Sequence, residues 1–217
     1  MNRYMIFVEG KADACFLRDY LKFLYSNLEI TKDNKTEKEL KNNESIVRII
    51  VTAGCDKIRE NFRVKFEEIN DYNYKILVIQ DADDMRKNKN TGGVTLRTLF
   101  LENLKKELNV NFDFFLFPNN EDDGDLETLL LKIVNNEYFT KTKDCYFQWI
   151  ECAKEHSPSE NIEELKLPKN IVYNYFRTFH GMKKANEENR DYSDEYWRFS
   201  SKSLEPLKKF LEKNIIK

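Results

Sequence analysis

The chain has 217 residues and a formal net charge of −2, with 34% charged and 41% hydrophobic residues. That length suits one α/β domain with an extension and a buried core, while the mixed charge argues against a broad basic stripe that grips bare nucleic acid unaided. No apolar run reaches membrane-spanning length, strand-like sequence begins almost at Met1, and the four cysteines form no CxxC pair, so a cytoplasmic protein with reduced thiols and no membrane partner is expected.

The first apolar run, 4–8, reads as a buried parallel strand and ends abruptly in Glu9-Gly10-Lys11. Gly10 allows a sharp turn. Phe16, Leu17, Tyr20, Leu21, Leu24 and Leu28 then recur at helical spacing over 12–28, and Asp13 near the start suits the helix dipole. Residues 31–45, rich in Lys, Asn, Glu and Thr, read as a polar surface connection. A second strand at 46–51 ends in Thr52-Ala53-Gly54, and a helix is expected over 56–69.

The third strand, 74–80, runs into Asp81-Ala82-Asp83-Asp84 and a polar loop that ends at Gly92-Gly93. A helix over 94–108 presents Leu101, Leu104 and Leu108, a fourth strand at 112–117 stops at Pro118, and an acidic loop at 119–125 leads into a helix over 126–134. This alternation predicts a four-stranded parallel sheet flanked by helices, with right-handed crossovers. Beyond 135 the pattern weakens, with helices expected at 144–155, 168–177 and 203–216. The chain is accordingly divided into an α/β domain, 1–136, and a C-terminal helical extension, 137–217, packed on it.

In an open α/β sheet the reactive groups gather at the carboxyl ends of the strands. If the first and third strands are neighbours, about 4.8 Å apart, Glu9, Asp81 and Asp83 converge there. Asp81 and Asp83 leave on the same side while the backbone stays extended. Two carboxylates roughly 5 Å apart repel by about 3 kcal/mol at an effective dielectric of 20, and a bound cation relieves that. Hard carboxylate oxygens suit Mg²⁺ or Mn²⁺. Gly10 and Lys11 precede a helix N-terminus, a natural phosphate seat. Glu127, opening the helix after the fourth strand, can reach the same edge, and Asp84 is an outer-shell candidate.

The order strand-Glu-Gly, two intervening elements, strand-Asp-x-Asp resembles the Toprim domain of topoisomerases, bacterial primases, RNA-maturation nucleases and overcoming-lysogenization-defect (OLD) nucleases. The resemblance implies that Glu9 is a metal ligand or general acid/base and that Asp81 and Asp83 hold Mg²⁺, the three being the catalytic set. It also implies that Asp13, four residues after Glu9 as in the OLD branch, joins a second metal site. The segment 117–130 and the stretch 204–211 are similar to those of a bacterial Toprim-like family of unknown function. No ATPase domain, zinc finger or primase-specific half accompanies the motif. The implied function is Mg²⁺-dependent hydrolysis of DNA or RNA, in a defence or mobile-element setting. The alternative is a silent or partner-dependent Toprim-like module that binds metal or nucleic acid, alone, through a protein partner or as a homodimer.

Other chemistry is weaker. Cys145, Cys152 and His156 fit no standard zinc spacing. His180, after an aromatic run, reads as structural, and Trp149 and Trp197 as core or interface aromatics. An aspartate-nucleophile phosphatase would carry Asp-x-Asp on its first strand, where this chain has Glu9.

Overall fold

β1 (Asn2–Val8) lies inside the sheet because both of its faces are apolar. Tyr4, Ile6 and Val8 enter one core, Met5 and Phe7 the other, and all are buried. Its neighbours are β4 (Ser45–Val51) and β5 (Lys75–Asp81), both parallel, with Val8 opposite Val51 on one side and Ile79 on the other. β6 (Asp113–Phe117) adds in parallel to β5, with Phe117 opposite Asp81. The computed structural model describes residues 1–54, 57–84, 92–156, 162, 167–192 and 196–215, the side chains at 136, 138, 184 and 189 excepted. Cys55, the middle of the loop after Asp84, the Lys184 side chain and the last expected helical position, 216, lie outside them.

The described sheet has six strands in the order β2-β3-β4-β1-β5-β6, not four, and is mixed. The two extra strands, β2 (Glu29–Asp33) and β3 (Glu37–Lys41), form an antiparallel hairpin that pairs with β4 where a polar connection was expected. Its register rests on ion pairs more than on apolar burial. Lys32 meets Glu37 at 2.5 Å, Arg18 meets Asp33 at 2.7 Å and Arg48 meets Glu37 at 2.5 Å. Lys38 also pairs with Asp33, and Arg48 with Glu68. Hydrophobic periodicity cannot register a strand held this way, and charged side chains are a common device on an edge.

α2 (Ile58–Asp71) and α3 (Val94–Leu108) cover one face, where Ile58, Phe62, Leu101 and Leu104 pack with Phe7 and Val78. α1 (Lys11–Leu24), α4 (Leu126–Ile133), α6 (Pro168–His180) and α8 (Glu205–Asn214) contribute to the core on the other face. Phe16 anchors it, with its ring 5.5–6.1 Å from those of Tyr192, Phe199 and Phe117. The C-terminal elements therefore share one core with β1 and α1. α5 (Asn136–His156) begins eight residues before the apolar signal at 144, and α7 (Met182–Ala185) is a single turn.

Candidate functional site

Glu9 leaves the end of β1, and the backbone there is tied across to the turn after β4 by the Gly54 amide, which donates to the Glu9 carbonyl at 3.2 Å. One turn into α1, Asp13 folds back so that its Oδ2 accepts from the Gly10 amide at 2.7 Å. It thereby satisfies one of the free donors of the helix start, yet it is only 5% exposed. Asp81 closes β5, and its Oδ1 accepts from the Leu126 amide at 2.9 Å, at the opening turn of α4. That turn is fixed in place by its N-cap, since Asp125 Oδ1 accepts from the Thr128 amide at 2.8 Å and from the Thr128 hydroxyl at 2.6 Å. Glu127 follows immediately and is buried.

Four carboxylates from three segments thus act on one another. Burial pushes the Asp13 carboxyl up to about 8 against the opposing Gly10 bond, and the charges of Glu127 and Glu9 push the same way. Asp81 is raised well above the ordinary range by burial first and then by Asp13, Glu127 and Glu9. Burial also raises Glu127, against the pull of Arg190. Removing solvent from a carboxylate and placing others beside it both disfavour the ionised form.

The buried counter-charge is Arg190, 1% exposed, whose Nη1 donates to Glu127 Oε1 at 3.2 Å. Its guanidinium lies 5.1 Å from the Phe176 ring centroid, and its carbonyl accepts from Arg18 Nη2 at 3.2 Å. Nothing in the weakly patterned stretch around 190 marked it. The sole hint was the charge imbalance of the expected acid cluster, which called for a cation from somewhere.

The other expected residues take different places. β5 ends at Asp81, and Asp83 has φ 61°, outside the extended region. Its backbone pairs with Gly124 in both directions, at 2.7 and 2.9 Å, and its carboxylate pairs with Arg97. The alternation that would have aimed Asp81 and Asp83 the same way stops one residue too soon. Gly10 spends its amide on Asp13, and Lys11 is 3.3 Å from Glu188. Asp84 is partly exposed at the edge of the described segment. His180 packs against the Phe176 and Tyr196 rings, Trp197 is buried and Trp149 is exposed.

The donor chemistry of Glu9, Asp13, Asp81 and Glu127 suits a hard divalent cation, and the raised carboxyl values are what such a cation would relieve. Among the described residues, however, no group of three or more His, Cys, Asp or Glu side chains is already disposed to ligate one.

No helix among the described residues is long and apolar enough to cross a membrane. No curated protein matches the chain. A crystal structure of a hypothetical protein from Pyrococcus horikoshii OT3 is similar, with a TM-score of 0.52 and 18% identity, over 99% of this chain and 95% of that one; at this identity the likeness shows the α/β fold. A family model, protein of unknown function DUF3226, matches residues 3–215, and the chain belongs to that family.

Proposed function

We propose that this DUF3226 chain is a Mg²⁺- or Mn²⁺-dependent phosphodiesterase acting on nucleic acid, with Glu9, Asp13, Asp81 and Glu127 holding the ion. The observation that carries the reading is the gathering of mutually repelling carboxylates at the carboxyl edge of β1 and β5, Asp13 and Glu127 buried and Glu9 and Asp81 partly so. The substrate class comes from the resemblance of the strand-Glu-Gly and strand-Asp-x-Asp order to the Toprim pattern.

Bound there, the ion would polarise a phosphodiester and make water a stronger nucleophile. The protein's own groups orient the acids. The Leu126 amide directs Asp81, the Gly10 amide directs Asp13, and Arg190 holds Glu127. Asp83 acts at one remove: with Arg97 and Gly124 it sets the loop that follows Asp81.

Calorimetric titration with Mg²⁺ and Mn²⁺, run beside cleavage assays on plasmid, single-stranded DNA and RNA, tests this reading. Binding and metal-dependent cleavage are expected in the native protein and lost in both Glu9→Gln and Asp81→Asn. Absence of both in the native protein overturns it. A second reading is a metal-binding module that is silent or acts only with a partner. It is favoured by Arg190 already holding Glu127 and by Asp83 being committed to Arg97, and cation binding without cleavage would establish it.

A further inference from the structure

Beside the acid cluster two recesses gather lysines from distant segments. A cavity of about 640 Å³ lies between α1, the β2–β3 hairpin and residues 188–191, and a second of about 500 Å³ lies between α6, Lys11 and residues 185–190. Arg190 and Glu188 line both. Of the basic side chains in their linings, Arg18, Lys38 and Arg190 are buried against Asp19, Asp33 and Glu127, and Lys11, Lys22, Lys35, Lys169 and Lys183 carry the solvent-facing charge. The 3₁₀ turn Glu187–Asn189 sits between them, and its carboxylates occupy the exposed lysines. Glu188 takes Lys11 at 3.3 Å and Lys35 at 3.0 Å, and Glu187 takes Lys169 at 3.1 Å. The three lysine side chains remain 43–69% exposed, so these pairs are weak and exchange readily. Tyr173, partly buried against the core, also lines the second cavity.

We propose that the two cavities form the track of a single-stranded nucleic acid, with the Glu187 and Glu188 carboxylates standing where its phosphates would lie. Lysines spaced along a concave path, with a ring beside them, bind a flexible strand by phosphate neutralisation and base stacking. Recessed pockets of this size admit single nucleotides of an unpaired strand, not the broad cylinder of a duplex. The track meets the acid cluster through Arg190, which lines both cavities and bonds Glu127. The substrate class rests on the phosphodiesterase reading, while the placement of the track does not. Strand binding would replace Glu187 and Glu188 on Lys11, Lys35 and Lys169.

The test is fluorescence anisotropy of labelled dT and U 20-mers and a matched duplex with the full chain in EDTA, so that binding is measured apart from cleavage. Both single strands are expected to bind more tightly than the duplex; a dT-to-U difference identifies DNA or RNA as the natural strand. Replacing Lys169 and Lys183, the latter exposed and lining the first cavity, in Lys169→Glu/Lys183→Glu should weaken binding at least tenfold and lower the salt slope by about 1.4, two phosphate contacts at about 0.7 each. Glu187→Gln/Glu188→Gln should tighten it at least threefold. Lys106→Glu, exposed on α3 on the other face of the sheet, should leave it unchanged. Thermal melts confirm folding of each variant. No single-strand binding, insensitivity to the Lys169/Lys183 change, no tightening in the Glu187/Glu188 variant, or equal affinity for inorganic polyphosphate would each overturn the track. Binding kept while Mg²⁺ titration and cleavage fail would instead sink the phosphodiesterase reading and leave the track standing.

Discussion

Replacing Asp13 by Asn isolates the electrostatic tension of the acid cluster, because the amide oxygen can still accept from Gly10 while the charge is gone. In the native fold the carboxyl titrates near 8, against an ordinary value of 3.8. Between those values the folded chain binds a proton that the unfolded chain has released. This group's contribution is therefore fully present below about pH 4 and is lost as pH rises through about 8. The separation of about 4 pH units at about 1.4 kcal/mol each sets a ceiling of about 6 kcal/mol. Asp81 adds to the variant's gain, since its own carboxyl is raised by Asp13 and relaxes when that charge disappears, while the buried amide with an incompletely paired NH₂ offsets part of it. Urea denaturation in EDTA at pH 5, 6, 7 and 8 measures the effect. Wild type and Asp13→Asn should be close at pH 5, then diverge, with the variant more stable by about 2–4 kcal/mol at pH 8. Saturating Mg²⁺ at pH 8 should restore wild type, by about 2.7 kcal/mol at a hundredfold excess over Kd, and help the variant less. Parallel stability curves across the pH range would refute a buried, charge-stressed Asp13.

Arg190→Met should cost about 3–5 kcal/mol by leaving Glu127 buried without its cation, and adding Glu127→Gln should recover much of that loss in the same denaturation assay. Asp125→Ala removes the α4 cap and should cost about 1 kcal/mol, with a further drop in Mg²⁺ affinity read by calorimetry, because Leu126 then holds Asp81 less firmly. Asp83→Asn should lower the melting temperature by weakening the pair with Arg97 while changing Mg²⁺ affinity less than twofold, whereas Asp81→Asn should weaken it more than tenfold; equal losses would return Asp83 to the ligand set. Phe16→Ala should cost about 3–5 kcal/mol by opening the core shared by α1 and the C-terminal segment, measured by thermal and urea unfolding.

The parallel core was legible because its strands are continuous apolar runs and its helices carry their apolar residues at regular spacing; α3 spans the expected 94–108. The β2–β3 hairpin was not, since Lys38 and Glu37 are buried through partners on β2 and β4 that are close only after folding. Within the site, Glu9, Asp81 and Glu127 were found from their positions at element ends, which a linear reading can locate. Asp13 came from the resemblance and proved to be both a helix-start acceptor and a member of the cluster. Asp83 went elsewhere because a single left-handed residue reverses the side-chain alternation on which its expected direction depended.

By itself the sequence decided the four parallel strands, that carboxylates end two of them, and that both faces of β1 must be covered, because periodicity and local charge act over a few residues. Only the tertiary structure decided that Arg190 answers Glu127 and that Glu187 and Glu188 pair with lysines from three distant segments. Electrostatic partners are chosen by distance in space and by the loss of water around them, and neither is written in the order of residues along the chain.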